Sequence, residues 1–142
     1  MGRLILRAHV GSVALFVPLL VRVLPLRWVL RAMTPPRWWR PYCGVPAEAL
    51  CESVRRRLAR PRLMRRRPCL REGLMIFHFL SLAGHEPEMH FAVFPPESPP
   101  RRVHAHCWVT LDGVECSAPP QGQFAEMMRY ARATGARPAG RQ

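Results

Sequence analysis

The sequence predicts a single α+β domain, and three observations support this prediction. At 142 residues the chain is long enough for one domain with a modest core. In residues 1–84 apolar side chains recur at spacings of three and four, which indicates helices. After residue 88, short runs of strand-forming residues alternate with proline-rich or Asp-Gly turns, which indicates a small antiparallel sheet.

The N-terminal region, residues 1–45, is predicted to contain one or two helices and a linker. Residues 3–33 are mostly apolar with five interspersed arginines, and Pro18 or Pro25 should bend the helix. The charge-free run 10–21 has 12 residues, fewer than the about 20 that a membrane-spanning helix needs. No small-residue signal-peptide cleavage site follows it. We expect these helices to pack on the rest of the domain, with membrane-surface or partner contact as the alternative.

The linker, residues 34–41, is too rich in proline to be a regular helix. Its Trp38 and Trp39 are either an interaction patch or core anchors at a chain reversal. A further helix is predicted from Pro46 to about Ala59, opening a core region at residues 46–134. Four apolar residues line one face of this helix: Ala47, Leu50, Val54 and Leu58.

The charge of the chain indicates an anionic partner. Its 22 basic residues, all arginine, outweigh nine acidic residues and give a net charge of +13. Eight arginines fall within residues 55–67 with no acid among them. This exceeds what solubility requires, so we predict that Arg65, Arg66 and Arg67 bind substrate. Nucleic acid is the weakest candidate, because aromatic residues do not interleave this run and no known binding motif is present.

Cys69 is the candidate nucleophile. A helix is predicted from Pro68 to Gly84, which puts Cys69 in its first turn. There the helix dipole, together with Arg67 and Arg71, favours thiolate over thiol. The alternative is a buried and inert cysteine. Five cysteines without regular spacing do not indicate a disulfide framework, so a reducing cytoplasm is expected.

Strands are predicted at residues 89–94 and 102–111, and Asp112-Gly113 predicts a hairpin to a short strand at 114–117. A final amphipathic helix is predicted at residues 123–133, followed by a frayed tail at 135–142. The apolar face of that helix would comprise Phe124, Met127, Met128 and Ala131.

His106, on the central strand, is the candidate partner of Cys69, since a thiol nucleophile needs an imidazole beside it. Pro68-Cys69-Leu70, His106-Cys107-Trp108-Val109 and Asp112-Gly113 resemble motifs of the transglutaminase-like cysteine peptidases of bacterial lasso peptide biosynthesis. The resemblance covers about residues 48–117. It implies a papain/transglutaminase-like fold and cleavage of a leader peptide by Cys69 and His106, with Trp108 contacting substrate and no cofactor.

The resemblance also implies partners: a precursor peptide with its leader, a small leader-recognition protein and an ATP-dependent macrolactam cyclase. The chain departs from the family pattern at Cys107, where Ala is usual, and at Thr110, where Glu is usual. A family Asp should face His106. A three-residue Asp-Gly hairpin would put Ala118 there, leaving Glu115 after a register slip, or Gln121 or Gln123 as a neutral substitute. The chain therefore either uses a Cys-His dyad or has lost activity.

Two alternatives remain open. His104 and His106 share one face of a strand, and with Cys116 or His90 they could bind zinc. In the other alternative, the arginine-rich face binds an acidic leader peptide or a partner without cleaving it. The sequence identifies neither the precursor nor the cleavage site.

Overall fold

A computed structural model describes residues 2–59, 68–94 and 104–138. Its helices are α1 (Gly2–Val23), α2 (Leu26–Ala32), α3 (Ala47–Leu58) and α4 (Pro68–Leu82). Its strands are β1 (Glu88–Val93), β2 (Ala105–Leu111), β3 (Val114–Glu115), β4 (Ala125–Ala131) and β5 (Gly135–Pro138). Four helices and an antiparallel sheet in this order confirm the α+β class.

The centre of the fold is α4, which contacts α1 and α3 as well as β1 and β2. Its side chains from Leu74 to Phe77 are almost completely buried, because helices cover one side of it and the sheet covers the other. The helix ends where predicted: Gly84 has a φ of +91°, and the N–H of His85 bonds to the Leu80 carbonyl at 3.1 Å. This left-handed turn at glycine is a common helix end.

α3 confirms its predicted face, with Leu50, Val54 and Leu58 all buried.

The two prolines of the N-terminal helical region act differently from each other. Pro18 lies inside α1, whereas Pro25 precedes α2 and separates the two helices. The prediction that the N-terminal apolar run is too short to cross a membrane is wrong. By length and composition, Leu4–Val23 is long and apolar enough. Counting only charge-free residues missed this, because Arg7 and Arg22 lie near the ends of the helix.

Only one side of α1 packs on the domain. Leu6, Val10, Ala14 and Val17 belong to the core, and His9 Nδ1 lies 2.7 Å from the Tyr42 hydroxyl. Six large apolar side chains on the rest of the helix are exposed by more than half: Leu4, Ile5, Leu15, Phe16, Leu19 and Val23. This helix is therefore a weak indication of membrane association or of a signal element. In the linker, Trp38 is 83% exposed, which excludes a core role for it.

The sheet has the order β3-β2-β1-β4-β5, with all neighbours antiparallel. β1 is central, and His90 on it pairs with Trp108 on β2. The Asp112-Gly113 turn is confirmed, but it has two residues rather than three. Thr110 pairs with Glu115, and both turn residues have positive φ, 51° and 79°. These angles are typical of a type I′ hairpin, whose twist matches that of the strands.

The predicted C-terminal helix at 123–133 is wrong, and so is the frayed tail as far as Pro138. These residues form β4 and β5, paired at Tyr130 and Ala136. β4 pairs with β1 from Ala125 to Ala131, with a register shift between Phe91 and Ala92, and the side chain of Tyr130 packs on Phe77 with ring centroids 5.5 Å apart. The hydrogen-bonding groups along the second edge of β1 need partners, and this requirement overrides a helical spacing of apolar residues. Residues 139–142 lie outside the described part.

Candidate active site

Cys69 lies in the first turn of α4, as predicted, and it is half-buried. Its environment lowers the pKa of the thiol to about 5. The largest cause is a hydrogen bond from the Cys107 side chain, and burial acts against it. Backbone hydrogen bonds from Cys107 and Leu70 and the charge of His106 lower the pKa further. Cys69 is therefore a thiolate at neutral pH, the form in which a cysteine acts as a nucleophile.

Cys107 lies opposite Cys69 on β2, and it is 4% exposed. A Cβ added to Gly73 would be 3.4 Å from Cys107 Sγ, so this sulfur lies against the face of α4 that carries residues 69 and 73. The hydrogen bond to Cys69, followed by burial, raises the pKa of Cys107. Cys107 therefore stays protonated and can donate its hydrogen to the Cys69 thiolate.

His106 is beside Cys107 on β2, and its side chain has a different neighbour. Its Nε2 is 2.9 Å from the Ala118 carbonyl oxygen. A carbonyl oxygen only accepts, so Nε2 carries the hydrogen and, in the neutral ring, Nδ1 is free to accept a proton. The structure brings His106 close enough to act on Cys69 by charge. The side-chain hydrogen bond to Cys69, however, comes from Cys107.

The resemblance implies a third catalytic group beside Cys69 and His106, and here a backbone group lies in its place. The hairpin argument that put Ala118 opposite His106 assumed a three-residue turn and is wrong, because the turn has two residues. The Ala118 carbonyl oxygen nevertheless contacts the imidazole. Glu115 is at the end of β3, paired with Thr110, four residues along β2 from His106. Gln121 and Gln123 are exposed. In the described part of the chain, the carbonyl of Ala118 therefore occupies the place of the expected carboxylate beside the imidazole.

Trp108 joins His106 to a second histidine. The indole stacks with the His106 ring at a centroid distance of 6.4 Å and with the His90 ring at 4.9 Å. Phe124 packs edge-on against the same indole at 5.7 Å. Trp108 is itself buried, so its contact with substrate stays a prediction, while its contact with His106 is direct.

His90 is held at both ring nitrogens. Nδ1 is 2.6 Å from Glu126 Oε1, and Nε2 is 2.8 Å from Thr110 Oγ1. Arg129 bonds to both carboxylate oxygens of Glu126, and this contact is the largest cause that lowers the pKa of Glu126. Sequence reasoning missed this network because it placed Glu126 on a helix. The signal that could have found it is the alternation of His106, Trp108 and Thr110 along one face of a strand.

The predicted substrate-binding arginines Arg65, Arg66 and Arg67 lie outside the described residues. Within α3, Arg55 lies 3.5 Å from Glu72, and Arg56 bonds to Glu52 at 2.7 Å. Arg55 also donates to the Cys116 carbonyl. These two arginines therefore have partners within the chain.

The zinc alternative needs three ligands in one place. Across residues 2–59, 68–94 and 104–138, no group of three His, Cys, Asp or Glu side chains could hold a metal ion. His104, His106 and Cys116 thus do not form a ligand set in this structure, and Cys116 instead pairs with Cys51.

Comparisons with known proteins give the family but no individual relative. Neither the curated proteins nor the solved structures contain a significant match. Residues 13–129 match the model of the transglutaminase-like superfamily, which includes cysteine peptidases and transferases. The match begins within α1 and ends on β4, and it includes Cys69, Cys107 and His106. Because it covers most of the chain, this protein belongs to the transglutaminase-like superfamily.

Proposed function

We propose that this chain is a cysteine peptidase that removes the leader peptide from a ribosomally made lasso peptide precursor. The observation that carries the proposal is the Cys69 thiolate at the start of α4, with a pKa of about 5 and His106 within electrostatic range. The superfamily includes cysteine peptidases, which supports the reaction type. The lasso substrate rests on the motifs around Cys69 and His106 and their resemblance to the leader peptidases.

In this mechanism the Cys69 thiolate attacks the carbonyl carbon of the last leader residue, and the carbonyl oxygen becomes an oxyanion. The N–H of Cys69, at the start of the helix, forms part of the hole that stabilises this charge. His106 carries on Nδ1 the proton that the Cys69 thiol has lost, and it gives this proton to the leaving amine as the C–N bond breaks. A water that His106 deprotonates then attacks the acyl-enzyme, and the C–S bond breaks to return the Cys69 thiolate. Catalytic hydrogen bonds often shorten only when substrate binds, so His106 and Cys69 need not be bonded in the free enzyme.

The Ala118 carbonyl has the role of the missing carboxylate. By accepting the Nε2 hydrogen at 2.9 Å, it leaves Nδ1 to take up and release the catalytic proton. A carbonyl carries a dipole rather than a full charge, so it stabilises an imidazolium less than a carboxylate would. We therefore expect a working but slow peptidase.

The proposed partners follow from the resemblance and from the charge of the chain. A leader-recognition protein would deliver the precursor, and a macrolactam cyclase would act on the released core peptide. The net charge of +13 suits an acidic leader or carrier protein. The site of action would be the cytoplasm, with the exposed side of α1 at the membrane surface.

A second candidate is a binding module that holds the leader without cleaving it. One observation favours it: among the described contacts, no carboxylate bonds to His106, whose ring nitrogen bonds to a backbone carbonyl. The two candidates make opposite predictions for the precursor, which would be cut in one case and only bound in the other.

The first experiment tests cleavage. Purified chain is mixed with a lasso precursor and a leader-recognition protein, and mass spectrometry follows release of the leader. We expect cleavage by the unmodified chain and by Cys43→Ala, since Cys43 is exposed, and none by Cys69→Ala. Cleavage by Cys69→Ala at the normal rate would overturn the mechanism. Binding of the precursor without cleavage by the unmodified chain would support the binding module instead.

A further inference from the structure

Four of the five cysteines lie in two thiol pairs. Cys69 pairs with Cys107, and Cys51 pairs with Cys116. All five are free thiols. The first pair joins the nucleophile to a buried thiol on the strand beside it, so it is the pair with chemical consequences for the site.

The geometry of the first pair is fixed by two packed elements. Cys69 lies in the first turn of α4, and Cys107 is in the middle of β2, where its neighbour Val109 is completely buried. Gly73, one turn after Cys69, leaves room for the Cys107 sulfur, which is 3.4 Å from where a Gly73 Cβ would be. The two thiols thus meet at the contact between helix and sheet, and a disulfide would bring their sulfurs to about 2 Å from each other.

We propose that Cys69 and Cys107 form a redox modification site, in which a hydroperoxide oxidises Cys69 and Cys107 then closes a disulfide with it. This site is distinct from the proposed peptidase reaction, and its chemistry does not depend on that reaction. Its consequence for activity does, because the disulfide removes the nucleophile.

The reaction has two steps. The Cys69 thiolate attacks one oxygen of the hydroperoxide and the O–O bond breaks, so Cys69 becomes a sulfenic acid while the other oxygen leaves and takes a proton as water or an alcohol. The Cys107 sulfur then attacks the Cys69 sulfur, and the S–O bond breaks. The hydroxide that leaves takes the Cys107 proton and becomes water. In sum, two thiols lose two electrons and two protons to the peroxide.

Oxidation of Cys69 also makes Cys107 easier to deprotonate, which favours its attack on the Cys69 sulfur. The hydrogen bond to Cys69 and the charge of the thiolate are two of the causes that keep the Cys107 pKa high. Both disappear once Cys69 is a neutral sulfenic acid, which leaves burial and Glu72. Cys107 is 4% exposed, so external thiols reach it poorly and the resolving reaction stays within the chain.

The consequence is that Cys69 is protected from irreversible oxidation. A sulfenic acid without a resolving thiol oxidises further to a sulfinic acid, which thiol reductants do not reverse. With Cys107 present, the oxidised site stops at a disulfide, which a reducing cytoplasm restores. The chain would be inactive during oxidative exposure and would recover afterwards.

The test uses two matched variants of the full chain. One carries Cys43→Ala, Cys51→Ala and Cys116→Ala, which leaves only the proposed pair, and the other adds Cys107→Ala. Both are treated with hydrogen peroxide and then with dithiothreitol, and intact mass is measured after each step. We expect the first variant to lose about 2 Da, reversed by dithiothreitol, and the second to gain about 32 Da irreversibly.

The proposal is overturned if the first variant also ends at the irreversible sulfinic mass. Should the multiple variants not fold, peptide mapping of the oxidised unmodified chain gives the same answer, since it must show a crosslink between Cys69 and Cys107. A crosslink only between Cys51 and Cys116 would contradict the proposal. The mass readout needs no peptidase activity, so a failure of the proposed function would be seen separately.

Discussion

The reactivity of Cys69 depends on residues from two elements. Sequence reasoning attributed it to the helix start and to neighbouring arginines. The structure adds the thiol of Cys107, whose hydrogen bond is the largest cause of the lowered pKa. A cysteine at position 107 is therefore not neutral, because it changes the acidity of the Cys69 thiol.

The first residue-scale prediction concerns pH. A thiol whose pKa is lowered to about 5 remains a thiolate from high pH down to that value, so its alkylation by iodoacetamide should rise with a midpoint near pH 5 and level off before pH 7. Cys107→Ala removes the largest lowering cause, and the midpoint should move up toward the ordinary thiol value of about 8.5. Rates are measured by mass spectrometry of the Cys69 peptide.

The control for this experiment is Cys43→Ala, which should keep the midpoint of the unmodified chain. An unchanged midpoint in Cys107→Ala would show that the Cys107 thiol does not lower the pKa of Cys69.

The second residue-scale prediction concerns the network behind His106. Glu126→Gln keeps the side-chain shape but removes the charge that holds His90, which stacks on Trp108. The looser stack should misorient His106 and lower kcat by about tenfold, roughly 1.4 kcal/mol, with little change in KM. Activity is expressed per Cys69 thiol titrated by iodoacetamide, so that a loss of folded protein does not lower the measured kcat.

Glu115→Gln is the matched control, since Glu115 is exposed on β3, and it should leave kcat unchanged. If Glu126→Gln has full activity per titrated thiol, the network only stabilises the fold.

At the scale of elements, α1 is a helix that leaves much of its apolar surface exposed. Only 22% of its most apolar window is buried, and Phe16 and Leu19 are exposed. In α2, Arg27 and Arg31 lie over the Trp28 ring at 5.8 and 5.6 Å. Exposed apolar residues beside arginine and tryptophan are typical of segments that lie at an anionic membrane surface.

We therefore expect the chain to sediment with vesicles rich in phosphatidylglycerol and much less with phosphatidylcholine vesicles. Replacing Ile5, Phe16 and Leu19 by Ser should weaken this binding, because each buried apolar side chain contributes about 1.5–3 kcal/mol. Val114→Ser, at an equally exposed apolar position on β3, should not. Equal sedimentation of all variants with both kinds of vesicle would contradict a specific role for α1.

At the scale of the whole molecule, the net charge of +13 is the dominant property. Part of the arginine-rich run is accounted for within the fold, since Arg55 and Arg56 pair with Glu72 and Glu52. We expect the remaining charge to attract anionic partners over a range of about 8 Å at physiological salt and to act mainly on the rate of encounter.

Replacing Arg65, Arg66 and Arg67 together by Gln should therefore raise KM for the precursor, or for its complex with the leader-recognition protein, more than it lowers kcat. The difference from the unmodified chain should shrink as salt increases, because screening removes the same attraction from both. Steady-state kinetics at low and high salt measure this. Kinetics that do not change at low salt would mean that these arginines are only solvated.

The sequence by itself determined the α+β class, the ends of α3 and α4 and the position of Cys69 in a first turn. These features depend on local interactions: apolar spacing, proline near a helix start and glycine at a helix end. For the same reason it located the Asp112-Gly113 hairpin.

Only the tertiary structure decided which residues these elements contact. Residues 125–131 have helical spacing but form β4, because pairing with β1 satisfies more backbone groups than an isolated helix would gain. The contact of Cys69 with Cys107, the Ala118 carbonyl on His106 and the Glu126–His90 pair all join residues at least 12 positions apart. Spacing within one element does not give the partners of such contacts, since they arise when packed elements bring distant residues together.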